Sequence, residues 1–125
     1  MAVRISVVTS DGSPVVRIAF TGRDRWATLS RGVVLPAADV AAAYVEDRRA
    51  AEAGASLVRA PGTSWPGVVR AGRYGVGSTR ELWCVHRGSR VLVLRTTRPR
   101  LRRVVIEVDD PDASAELVNR VLIGS

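Results

Sequence analysis

The run Val91-Leu92-Val93-Leu94 constrains this chain more than any other feature. Successive side chains on a strand point to opposite faces, so a strand here is apolar on both. Val105 repeats the difficulty, because it faces away from Val104, Ile106 and Val108. The interior of one barrel cannot take both faces. The outward side needs a cover, which a loop, the terminal helix or another subunit can supply. Val91, Val93 and Val105 are therefore candidate interface residues.

The segments before and after this run also read as strands. Val3, Ile5 and Val7 alternate with polar residues, as do Val16, Ile18 and Phe20 around Arg17. This is the period-two signature of half-buried strands. Ser10-Asp11-Gly12-Ser13-Pro14 between them has hairpin-turn chemistry. A second turn at Thr21-Gly22-Arg23-Asp24 leads into a short strand over Trp26–Leu29, and Gly32–Leu35 gives another. Ala60–Gly67 reads as a loop on two Pro-Gly dipeptides. Trp65 lies within it, either as an interface anchor, since tryptophan is enriched at hot spots, or as a lid on its own core. Val68–Tyr74, Glu81–His86, Arg90–Thr96 and Arg102–Val108 then read as a meander joined by short turns.

Pro36–Gly54 is ambiguous from propensity alone. Asp39 as N-cap, the run of alanines and Gly54 beyond the end favour a helix. Val40, Ala42 and Tyr44 also alternate as a strand would. The last segment is clear: Asp110 at the N-cap and Pro111 at N1 open a helix over Asp110–Ile123. Ala113, Leu117, Val118, Val121 and Leu122 follow helical spacing, and Gly124 stops the run.

The order of these segments resembles the bacterial pleckstrin-homology-like family. The likeness rests on Arg59-Ala60-Pro61-Gly62-Thr63, Pro66-Gly67-Val68-Val69-Arg70-Ala71-Gly72-Arg73-Tyr74 and Arg80-Glu81-Leu82-Trp83-Cys84-Val85. It continues through Val91–Leu94 and Val105-Ile106-Glu107-Val108-Asp109-Asp110-Pro111, with Arg25–Leu29 and Val33–Pro36 as earlier matches. The resemblance implies a mainly β fold: a PH-like bent antiparallel barrel of about seven strands with one C-terminal α-helix, spanning residues 1–125 as a single domain. It also implies that Val40–Glu46 is a strand, with any helix confined to about Asp47–Ala53. Eukaryotic domains of this shape bind phosphoinositides through bases in and beside the first hairpin. Here that turn carries Asp11 and no base, with Arg17 nearest, so the resemblance implies a scaffold and not that lipid site.

Little in the sequence suggests catalysis. Cys84 and His86 share a strand face, but residues two apart sit roughly 6.5–7 Å apart along a strand, which is loose for a direct hydrogen bond. A buried thiol is the better reading. Gly72, Gly75 and Gly77 lack the helix and the Lys-Ser/Thr pair of a phosphate loop. Asp109, Asp110 and Asp112 crowd a helix start, where capping and the helix dipole account for them. One cysteine and one histidine leave too few ligands for a zinc site of the usual type. No catalytic residue, metal or cofactor is expected.

The formal charge is +7, with 19 arginines and no lysine. Arg95, Arg98, Arg100, Arg102 and Arg103 concentrate that charge on one hairpin, where they could meet nucleic acid or an acidic membrane surface. No aromatic residue interleaves with them, so the stacking platform of single-strand binders is missing. No stretch reaches the roughly 18–20 apolar residues of a membrane helix, and the start runs directly into strand alternation, so a cytoplasmic location is expected. The leading expectation is a non-catalytic scaffold that binds a protein partner or itself. The alternative is an anionic-ligand module built on the Arg95–Arg103 hairpin.

Overall fold

A computed structural model of the chain describes the backbone of residues 3–20, 32–53, 59–65, 69–74, 80–85, 89–99 and 101–124, and side chains over a subset of these. The readings at Thr21–Asp24, Trp26–Leu29, Gly75, Gly77 and His86 lie outside the described residues.

β1 (Val3–Ser10) and β2 (Ser13–Phe20) form the expected hairpin, with Ser10 paired to Ser13. The two turn residues have positive φ, 52° at Asp11 and 79° at Gly12. An Asp-Gly pair tolerates this, and the resulting twist matches that of the flanking strands. β3 (Gly32–Pro36) joins the other side of β2. At Gly32 the φ is 148°, and a Cβ would drive into the Ile18 carbonyl oxygen, so only glycine fits.

A single 3₁₀ turn, Ala37–Asp39, leads into β4 (Val40–Asp47) and then α1 (Arg48–Ala53). This settles the ambiguous segment as strand plus short helix. Pairing of β4 along β8 (Arg90–Thr96) overrides alanine's helix propensity. β5 (Arg59–Trp65) replaces the expected loop: Pro61-Gly62 sits at a register irregularity on an edge strand, where proline and glycine are tolerated.

With β6 (Val69–Tyr74), β7 (Glu81–Val85) and β9 (Arg103–Ile106), these strands make a six-stranded sheet ordered β4-β8-β9-β7-β6-β5. The expected meander holds for β6–β7 and for β8–β9, but β7 does not pair with β8. Instead β9 folds back into the slot between them and runs parallel to β7. The molecule is thus mainly β with a C-terminal helix, in a three-stranded and a six-stranded sheet. Among the described residues it forms no closed barrel.

The two-faced strand finds both its covers within the chain. One face of the large sheet contributes Leu82, Cys84, Leu92, Leu94, Val104 and Ile106 to a core shared with Val16, Ile18, Phe20 and Leu35 of the small sheet. The other face gathers Trp83, Val85, Val91, Val93 and Val105 with Ala51 of α1 and, at its margin, Tyr44. Val91, Val93 and Val105 are fully buried, which removes them as interface residues. The backbone of Trp65 ends β5 opposite Val69, and its side chain lies outside the described residues.

α2 (Pro111–Gly124) starts as read: Asp110 Oδ1 accepts from the Ala113 amide at 3.0 Å. Its inward face matches the expected one at Val118 and Leu122 and differs at Ala113 and Leu117. Ala115 and Val118 are buried and Leu122 packs against the core, whereas Ala113 and Leu117 are exposed. Asn119 fixes this rotation by donating to the Ala43 carbonyl at 3.0 Å. Among the described residues, no helix is long and apolar enough to cross a membrane.

Candidate anion-binding cleft

The second face of the large sheet changes character along its strands. Its middle row runs Tyr44–Val93–Val105–Trp83 across β4, β8, β9 and β7. One step along, the row reads Ala42–Arg95–Arg103–Glu81. An apolar face therefore ends in a charged one, with Arg95 and Arg103 directly opposite each other.

Glu81 organises this end. It is fully buried, and its Oε2 accepts from Arg103 Nε at 2.9 Å, from Arg102 Nε at 2.9 Å and from Arg102 Nη2. Its Oε1 accepts from Trp83 Nε1 at 2.9 Å. Burial alone would push the carboxyl up. The hydrogen bonds from Arg103, Trp83 and Arg102, with the Arg103 charge, outweigh that and hold it below its ordinary value. Arg103 also donates from Nη2 to the Ala51 carbonyl at 2.6 Å and lies 5.4 Å from the Trp83 ring centroid. The backbone closes the frame, with the Arg102 amide on Arg80 O at 2.7 Å and the Thr96 amide on Arg102 O at 3.0 Å.

Beside this node lies a cleft of about 230 Å³ lined by Tyr44, Arg95, Arg102 and Arg103. Three guanidinium groups line it, and Glu81 holds two of them, Arg102 and Arg103. Among the described residues Arg95 has no hydrogen-bond or ion-pair partner, and it is exposed. Like charges facing each other across strands repel, and of this pair Arg103 is offset by Glu81, while Arg95 meets no carboxylate among the described residues.

The five arginines expected to act together thus separate. Arg95, Arg102 and Arg103 converge on the cleft, and two of these three also hold Glu81. Arg98 sits outside it on the hairpin tip, 3.5 Å from Asp39 Oδ2. Arg100 lies outside the described residues. Sequence reasoning missed Glu81, Trp83 and Tyr44 as parts of the site. The signal for the first two was an acid two residues before a tryptophan on one face of an otherwise apolar strand.

The other candidates stay apart. Cys84 is fully buried in the first core, on the face opposite Trp83. Asp112 pairs bidentately with Arg90 at 2.9 and 3.0 Å. Among the described residues no three His, Cys, Asp or Glu side chains gather as a metal site would need.

Comparison with known proteins gives no relative: no family model, no curated protein and no solved structure matches the chain. The likeness to the pleckstrin-homology-like family rests on its short sequence motifs alone.

Proposed function

We propose that this chain is a non-catalytic binding module whose ligand is an oxyanion held in the Arg95–Arg102–Arg103 cleft. The observation that carries the reading is Arg95: a guanidinium facing Arg103 over a cavity, with no acidic partner among the described residues. Arginine forks match oxyanion geometry and lose little freedom on binding. Glu81 saturates one side of Arg102 and Arg103 and fixes their planes, so the cleft is preorganised. A small concavity suits a compact ligand better than the extended backbone of a nucleic acid, which needs many phosphate contacts in a row.

Titration calorimetry with inorganic phosphate tests this. Saturable one-site binding is expected, weakened about tenfold or more by Arg95→Ala, since a charge-assisted hydrogen bond contributes about 1.5–3 kcal/mol. Binding that is unchanged in Arg95→Ala refutes it.

A scaffold for a protein partner or a second copy of the chain is the second reading. Its original motive, the two-faced strand, is met inside the chain. What favours it now is the outer face of the small sheet, where Val8 and Val34 are 40% and 53% exposed beside an open cleft at Arg17 and Gly32. Sedimentation at micromolar concentration checks its self-association half, and a strictly monomeric species counts against it.

A further inference from the structure

We infer that β1 pairs edge to edge with β1 of a second copy of the chain, antiparallel about Ser6; this rests on the self-association half of the second reading above. The sheet edges point there first. A strand at an edge presents unpaired amides and carbonyls, and proteins blunt such edges with proline, bulges, short strands or a cover. The four edges here are β1, β3, β4 and β5. β3 is five residues long, starting at the positive-φ Gly32 and ending at Pro36. β4 has a register shift between Val40 and Ala42, and Asn119 takes its Ala43 carbonyl. β5 has the irregularity at Pro61-Gly62. β1 has none of these devices. It runs eight residues in unbroken register with β2, without proline, and carries one charge, Arg4.

The turn sets the phase of the free groups. A two-residue turn is flanked by a hydrogen-bonded pair, here Ser10 opposite Ser13. Bonded and non-bonded pairs alternate from there, so the amides and carbonyls of Val3, Ile5, Val7 and Thr9 point away from β2. Among the described residues nothing hydrogen-bonds to them. α2 touches β1, yet Ile5 and Val7 stay partly exposed although both pack on the core.

The side chains then select the occupant and the register. A two-fold axis at the edge makes the contact self-complementary and antiparallel. Centred on Ser6, it joins Ile5 to Val7 of the second copy, and Val3 to its Thr9, as hydrogen-bonded pairs. These are the residues whose backbone groups are free. The Ile5–Val7 pairs close the margin of the core on both sides of the axis. On the outer face Arg4 meets Val8 of the second copy, and its aliphatic stem covers a side chain that is 40% exposed in the single chain. No like charges meet in this register, whereas centring on Arg4 would set the two arginines against each other. Centring on Ile5 or Val7 shortens the overlap of Val3–Thr9. The pairing is closed, because each copy uses its one open edge.

Sedimentation velocity at about 0.3 M salt, where repulsion between two chains of charge +7 is screened, tests this. A monomer–dimer equilibrium in the micromolar range is expected. Val8→Glu sets an acid beside Arg4 of the second copy at two symmetric positions and should tighten the dimer about fivefold, while Val8→Lys should loosen it by about as much. Val7→Pro removes an outward amide and should abolish the dimer, with circular dichroism checking that the strands persist. As concentration rises, hydrogen exchange should slow at the Ile5 and Val7 amides and stay unchanged at Ser6 and Val8, whose amides already meet β2. If Val7→Pro unfolds the chain, the Val8 variants and the exchange pattern decide. A strictly monomeric chain overturns both the pairing and the self-association reading. A dimer indifferent to both Val8 substitutions, with exchange at Ile5 and Val7 unchanged, overturns the pairing and leaves self-association standing.

Discussion

The two faces of the six-stranded sheet are built from neighbouring residues of the same strands, yet they do different work. Leu82, Leu92, Leu94, Val104 and Ile106 meet the small sheet and α2 in an all-apolar core. Trp83, Val91, Val93 and Val105, each one residue away, line a second cluster that ends in Glu81, Arg102 and Arg103. The first face gains from burial alone. The second carries a buried carboxylate, whose desolvation is offset by hydrogen bonds to both of its oxygens and by the facing guanidinium charge. A face that keeps such a node gives up some stability for placed charge, and that is where the cleft lies.

Disrupting the node should have the largest effect. Glu81→Ala leaves Arg103 buried without its anion and is expected to cost about 3–5 kcal/mol in urea unfolding. Part of the Arg102 contribution is screened by solvent, since that side chain is 41% exposed. On the first face, Leu92→Ala is expected to cost about 2–5 kcal/mol through lost burial and a residual cavity.

The two losses differ in their pH dependence, which sharpens the contrast. The folded-state pKa of Glu81 is depressed, so its contribution is present above the ordinary value of 4.5 and is lost as pH falls through the lower folded value. The stability gap between the native chain and Glu81→Gln should therefore close under acid, while the gap to Leu92→Ala stays open. Equal closure of both gaps would contradict the assignment.

Trp83→Phe probes the junction between apolar and charged halves. It keeps most of the ring but strips Oε1 of its donor, and is expected to cost about 1–3 kcal/mol. Away from both faces, Asp110→Ala removes the α2 cap and should cost about 1 kcal/mol by thermal unfolding, leaving anion binding intact.

Local rules made much of the fold legible. The Asp11-Gly12 hairpin, the alternation in β1 and β2 and the Asp110-Pro111 helix start all depend on residues within a few positions of one another. The insertion of β9 between β7 and β8 was not legible, because turn lengths allow a hairpin between β7 and β8 and say nothing of a third strand's preference for the slot. The inward face of α2 was read correctly at Val118 and Leu122 but not at Leu117, for a related reason. Leu117 fits the apolar spacing, but Asn119 reaching Ala43 turns it outward. At the site, the run of arginines was visible, but its division was not. Which of them meet an acid depends on Glu81, which takes Arg102 and Arg103, and on Asp39, which takes Arg98, both distant in sequence and adjacent only in the fold.

The most direct test of the central claim is to map amide chemical-shift changes as inorganic sulfate is added to the folded chain. Saturable shifts should concentrate at Tyr44, Arg95, Arg102, Arg103 and Glu81, and disappear in Arg95→Ala. Shifts spread over exposed arginines such as Arg4, Arg17 and Arg120, or centred on the β1–β2 turn, would contradict it.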